Sequence, residues 1–259
     1  MREALQALFN ETFACTRCSQ KLMNPYIHRN LKNDPPAGPD LAENRRRFFR
    51  EWLDAKEDIR LVIVGEAPGL DGCGYAGIPF TGEYNAITHL GLRDFHGLGG
   101  KYQREASANL IYGALGNYAA KAGITMAQAA SKLWLTNAVL CVPLKDNGKS
   151  ITYPRRETLL NCRQNLLAQL EIIQPRAVIT LGDKALRALT AALEIPCSEK
   201  LIDLVARQRQ QAQPVLEAQG LAIIPEIHPS PLNQARKDLY SQLPPRLEQL
   251  FALYLEDRS

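Results

Sequence analysis

The chain has 259 residues, 46% of them hydrophobic and 22% charged, with a formal net charge of +4. That composition suits an ordinary soluble α/β protein whose core needs no disulfide staples, and the mild positive charge permits a nucleic-acid partner without demanding one. The start of the chain carries Arg2, Glu3 and only short apolar stretches, which excludes a signal peptide or membrane span there and sets a cytoplasmic location as the expectation. In that reducing setting the six cysteines are read first as metal ligands or catalytic groups.

Leu5, Leu8, Phe9 and Phe13 recur at helical spacing and predict a helix that leads into Cys15 and Cys18. Residues 24–40 hold Pro25, Pro35, Pro36, Gly38 and Pro39, so an irregular segment is expected, followed by a basic, aromatic-bearing helix around Asn44 to Leu53. Together these form an expected insertion near 24–57. Residues 61–65 read as a buried strand that stops at a loop containing Pro68 and Gly69, and three later runs, 133–140, 177–182 and 221–227, have the same form. Helical patterns at 109–122 and 157–173 lie between them. The alternation predicts a central, mostly parallel, four-stranded sheet flanked by helices, with binding residues at the strands' C-terminal ends. Residues 199–220, rich in Gln and Arg, are expected as a solvated helix or an insertion before the last strand.

Cys15 and Cys18 form one C-x-x-C, whereas Cys141 and Cys162 lie far downstream and far apart. A zinc ribbon wants two short knuckles, while iron-sulfur sites accept distant thiolates. Spacing alone leaves two readings open: a four-thiolate site, or buried apolar cysteines at 141 and 162 with metal at the first pair or nowhere. Cys73 and Cys197 have no assigned role.

Four separated motifs occur in order: Gly65-Glu66-Ala67-Pro68-Gly69, Gly77-Ile78-Pro79-Phe80-Thr81-Gly82, Thr136-Asn137-Ala138-Val139-Leu140-Cys141, and His228-Pro229-Ser230. With the cysteine pattern they resemble the family-four uracil-DNA glycosylases, over about residues 14–232. The resemblance implies one glycosylase-like α/β/α domain over 1–259, with an N-terminal cluster-binding helix and a 4Fe-4S cluster on Cys15, Cys18, Cys141 and Cys162. It implies a monomer acting on uracil-containing DNA, single- or double-stranded, at the start of base excision repair, with hypoxanthine and xanthine as further candidate bases.

Chemistry assigns parts within that resemblance. A base must leave the stack to expose its glycosidic bond, and Phe80 is the expected platform for it; the plain alternative is a core phenylalanine. The carboxamide of Asn137 matches uracil N3-H and O4 side by side, although an Asn at a strand end is otherwise a turn former or cap. Gly65 and Ala67 are placed with them in base binding. His228 is expected to hydrogen-bond uracil O2 as charge develops, and Glu66 to hold the attacking water or stabilise the cationic sugar. For each the alternative is structural: a satisfied histidine, and a loop carboxylate on backbone amides. Pro68, Gly69, Pro79 and Ser230 are expected against DNA phosphates, and Leu232 as a wedge or a core residue. Arg45 to Arg47, Arg155, Arg156, Arg236 and Lys237 are candidate phosphate contacts, or solvated faces.

The sequence departs from the familiar pattern in the loop 70–76, which is less acidic and carries Cys73, and in Glu83-Tyr84-Asn85, which are bulkier. The segment between Cys141 and Cys162 is long and lacks the histidine of the covalently trapping branch, so turnover is expected. Pro231-Leu232-Asn233 resembles family five, which leaves the subfamily open. The competing reading is a catalytically inactive iron-sulfur member that only binds nucleic acid. A nucleotide-dependent enzyme is disfavoured because no phosphate loop is present.

Overall fold

The computed structural model describes residues 1–35, 41–92, 105–211, 213–230 and 237–256. In chain order the elements are α1 (Arg2–Phe13), β1 (Leu22–Met23), α2 (Leu41–Asp54), β2 (Leu61–Gly65), α3 (Cys73–Ala76), α4 (Glu83–Leu90), α5 (Ala106–Ala122), α6 (Met126–Ser131), β3 (Leu133–Asn137), β4 (Val142–Pro143), α7 (Arg156–Ile173), β5 (Ala177–Leu181), α8 (Asp183–Ala192), α9 (Leu201–Gln210), β6 (Leu216–Ala218), β7 (Leu221–Glu226) and α10 (Lys237–Leu255).

The strands β2, β3 and β5 are buried along their whole length, as continuous apolar runs must be when helices cover both faces of a parallel sheet. The main sheet has the order β3-β2-β5-β7-β6, with β3, β2, β5 and β7 parallel. It therefore has five strands where four were expected. The additional one, β6, is a short antiparallel edge strand joined to β7 through Gln219 and Gly220, which both take positive φ, 51° and 82°. Two such residues make the tight turn whose twist suits a hairpin. The segment 199–220 thus supplies both a helix and a sheet edge. The expected strand 133–140 ends earlier, at Asn137, and its remaining apolar residues form a buried loop.

Aromatic packing fastens the N-terminal third to the sheet. Phe49 of α2 lies 4.3 Å from Phe9 of α1, ring centre to ring centre, and Trp52 lies 4.5 Å from Trp134 of β3. Trp134 donates its indole N-H to Gln169 of α7 at 2.9 Å, so the polar end of the ring is satisfied inside the core. Arg45 is fully buried in this region. It pairs with Asp34 and donates to the carbonyl of Tyr75 at 3.0 Å, which makes it a structural cation and removes it from the candidate phosphate contacts.

Candidate active site

The C-terminal ends of the parallel strands converge on a cleft of about 630 Å³. After β2 it receives Glu66, Ala67, Pro68 and Gly69, at the end of β3 Asn137, after β5 Asp183 and Lys184, and after β7 His228 and Ser230. Phe80 closes one wall. The backbone ties these ends together: the Ala138 N-H donates to the Gly65 carbonyl at 2.8 Å and the Val139 N-H to the Glu66 carbonyl at 2.9 Å. Asn137 is thereby clamped beside Gly65.

Gly65 lies beneath the two recognition side chains. A Cβ there would stand 2.4 Å from Asn137 Oδ1 and 2.5 Å from Phe80 Cζ, so only glycine lets ring and carboxamide approach each other. Phe80 itself has φ of 51°, a left-handed conformation that costs a non-glycine residue about 1–3 kcal/mol. The fold holds this ring against a local preference, as it would a side chain with a task.

Burial shapes the charges. It raises the Glu66 carboxyl above the usual range, and the Lys184 ammonium, 3.6 Å from Oε1, opposes that rise. Burial lowers His228, so the imidazole is neutral at neutral pH and offers one N-H as a donor. The tight turn at His228 is fixed by the Ser230 N-H, which donates to the His228 carbonyl at 2.8 Å. Glu105 also lines the cleft; burial first, and Asp71 second, push its carboxyl up to about 7, and its Oε2 is buried without a hydrogen bond. A flat apolar ring, a carboxamide, a neutral imidazole and a partly desolvated carboxylate thus face one space. That set can hold a flat polar heterocycle and a water molecule beside it.

The cysteines gather behind the cleft. The short pairing of β1 with β4 draws the N-terminal loop onto the segment that follows Cys141. Asn24 donates to the carbonyls of Thr12, Phe13 and Cys15, each at 3.3 Å, which satisfies the end of α1 and fixes Cys15. Cys15, Cys141 and Cys162 border a hollow of about 590 Å³. Cys141 is raised by burial and then by Cys162, Cys15 and Cys18, and Cys162 is pushed up to about 11 by burial, with Cys18 and Cys15 adding to it, so all four thiols lie within each other's electrostatic reach. Arg17 donates to Cys15 Sγ at 3.3 Å and Asn161 to Cys18 Sγ at 3.6 Å. All six cysteines are free thiols. Among the described residues no three Cys, His, Asp or Glu side chains are gathered as for a single ion. A polynuclear cluster spaces its thiolates more widely, because its own iron and sulfide stand between them, and the soft four-sulfur donor set fits such a group.

Of the residues singled out in the sequence, Glu66, Ala67, Pro68, Gly69, Phe80, Asn137, His228 and Ser230 all line the cleft. Gly65 lies under it. Pro79 is buried, outside the cleft lining, and its carbonyl accepts from the Thr81 hydroxyl at 2.9 Å. Leu232 and Arg236 lie outside the described residues. Sequence reasoning missed Tyr153, Lys184 and Glu105. Lys184 had a usable signal, since it follows the strand end at Gly182; Tyr153 and Glu105 are far from any strand end and had none.

Comparison with known proteins bears on the family and the fold. The uracil DNA glycosylase superfamily matches residues 53–256. A type-5 uracil-DNA glycosylase of Pyrobaculum aerophilum is 28% identical over 182 residues, which is 70% of this chain, and the chain spans 65% of that relative's length. The solved structure of Pedobacter heparinus SMUG2 superposes with a TM-score of 0.62 at 16% identity, covering 96% of this chain and 97% of that one, a likeness of fold.

Proposed function

Because the chain belongs to the uracil DNA glycosylase superfamily, we propose that it hydrolyses the N-glycosidic bond of uracil in DNA and so opens base excision repair. The observation that carries this reading is the meeting of Phe80, Asn137, Glu66 and His228, each from a separate motif, in one cleft. The similarity to a type-5 uracil-DNA glycosylase supports it.

In this reading the uracil leaves the helix and stacks on Phe80, a contact worth about 1–3 kcal/mol. Asn137 accepts from N3-H and donates to O4. Cytosine presents the reverse pattern, and pairing it here would leave buried polar groups unmatched. As the bond to the sugar lengthens, negative charge grows on the base and His228 donates to O2, while Glu66 faces the oxocarbenium-like sugar and holds the water that attacks it. Pro68, Gly69 and Ser230 meet the backbone of the strand. The partner is DNA, the working form a monomer, and the setting the reducing cytoplasm.

The same reading gives Cys15, Cys18, Cys141 and Cys162 a 4Fe-4S cluster. When bound, it supplies iron-thiolate bonds that fasten α1 and the loop before β1 to the segment after Asn137. Its part is structural, since cutting this bond moves no electrons to or from the protein. Loss of the visible cluster absorbance in Cys141→Ser would support the ligand set, and a wild-type spectrum in that variant would remove Cys141 from it.

The deciding experiment uses an oligonucleotide with one deoxyuridine, treated with alkali after incubation, with Glu66→Ala and His228→Ala in parallel. Scission at the uracil that drops by at least about 100-fold in both variants is the expected result. Binding without scission by the wild-type protein would replace this reading with that of a binding protein.

A further inference from the structure

Glu66, Tyr153, Pro154 and Lys184 line the catalytic cleft and also a second groove of about 460 Å³ on the side of α7 and α8. They are the wall between the two. A half-buried carboxylate in such a wall can turn toward either space, and only one of them holds the reacting sugar. Something must choose between them.

We propose that Lys184, braced by the ring of Tyr153, is a positioning residue that keeps Glu66 ionised and turned to the cleft. The Lys184 ammonium stands 3.6 Å from Glu66 Oε1 and 2.8 Å from the centre of the Tyr153 ring. Tyr153 is 68% exposed, so little of its ring serves the core; Gln20 fixes its backbone carbonyl at 2.9 Å, and the ring meets the Lys184 ammonium. Lys184 lies in the first turn of α8, at the junction that follows β5. A pair this exposed adds little to stability. Its value is in orientation and charge.

The other charged groups around Glu66 do not replace it. Burial disfavours a charge on His228, and Glu105, which also lines the cleft, is an acid and supplies no cation. Asp183 is engaged by Arg187 at 3.1 Å. Behind the wall, Arg163 is paired with Glu194 at 2.8 Å, and Arg156 and Arg187 line the second groove alone, not the cleft. Those arginines would draw an untethered Glu66 the wrong way.

The rate arm of the test rests on the glycosylase reading; the titration arm does not. Wild type, Lys184→Met, Lys184→Arg and Tyr153→Ala would be followed in single-turnover excision of deoxyuridine across pH. In parallel, carboxylate carbon NMR would follow the Glu66 titration, assigned by its loss in Glu66→Gln. Lys184→Met should carry the Glu66 titration and the acid limb of the rate together to higher pH and slow excision near pH 6 roughly tenfold, a modest part of what a positioned acid-base group supplies. Lys184→Arg should return both, and Tyr153→Ala should shift both in the direction of Lys184→Met. Unchanged titration in Lys184→Met overturns the inference, as does failure of arginine to restore it. A wild-type protein that excises no uracil, yet whose Glu66 titration moves on loss of Lys184, would discard the glycosylase reading and keep the pairing.

Discussion

A single methyl group at position 65 would separate the two halves of base recognition. It would overlap both Asn137 Oδ1 and Phe80 Cζ, and neither can retreat, because Asn137 is clamped by the backbone bonds of Ala138 and Val139 and Phe80 is buried in a strained backbone. Gly65→Ala should therefore lower excision about 100-fold, the cost of displacing a reacting group by roughly an ångström, and stability by about 1–3 kcal/mol. Single-turnover rates and urea melts would measure the two effects, and a fully active variant would show that ring and carboxamide need not touch. Glu66 gives the pH dependence. Its carboxyl must be ionised to hold water, and its folded pKa is raised by burial, so activity is present above that pKa and falls as pH drops through it. The acid limb should lie above the usual carboxylate range and vanish, at low residual rate, in Glu66→Gln. These two residues were legible because they stand in motifs at a strand end. Tyr153 and Glu105 line the same cleft yet were not, since their proximity to it exists only after folding.

Elements follow the same division. The strands β2 and β5 were legible to within a residue because a parallel strand buried on both faces is written as an unbroken β-branched run. The edge strand β6 was not: Leu216, Glu217 and Ala218 are only partly covered, and the turn beside them is Gln-Gly, outside the usual Asn-Gly or Asp-Gly signature. At 133–140 the pattern overran, since Ala138, Val139 and Leu140 stay buried after the chain leaves the sheet, and burial in a loop reads like burial in a strand. The end of β7, which aims His228, is held by ion pairs that no local pattern announces. Glu226 is fully buried and meets Arg209 of α9 at 2.8 Å and Arg246 of α10 at 3.4 Å. Removing both arginines as Arg209→Met/Arg246→Met would strand a buried carboxylate, at a cost of about 3–5 kcal/mol, with each single change costing less because one cation remains. A double variant no less stable than the singles in urea would mean that Glu226 finds water or a proton instead.

At the scale of the whole molecule, three titratable groups, Lys56 buried and Glu66 and Glu105 partly so, tie stability to pH. Lys56 is lowered by burial while its ammonium donates to the carbonyls of Ala130 and Leu133 at 2.7 and 2.8 Å. Its charged form is disfavoured in the fold, so its contribution improves as pH rises toward the range where an unfolded lysine also loses its proton. Glu66 and Glu105 have the opposite sign. The folded chain binds their protons more tightly than the unfolded chain does, so what they contribute is fully present below the unfolded pKa and is lost as pH rises through the folded one. For Glu105 the window is defined, from about 4.3, where a free glutamate titrates, to about 7 in the fold. Above it the protein carries an ionised carboxylate whose Oε2 is buried and without a partner. Glu105→Gln removes that charge and keeps the shape. The stability difference between variant and wild type should be small at pH 4, grow through the window, and level off above pH 7 at no more than about 4 kcal/mol in favour of the variant. Urea denaturation at pH 4, 5.5, 7 and 8.5 measures it. A difference that stays constant with pH would mean that Glu105 ionises as freely in the fold as in the unfolded chain. A carboxyl held at this cost on the rim of the cleft is then a feature of the site that the rest of the molecule must stabilise against.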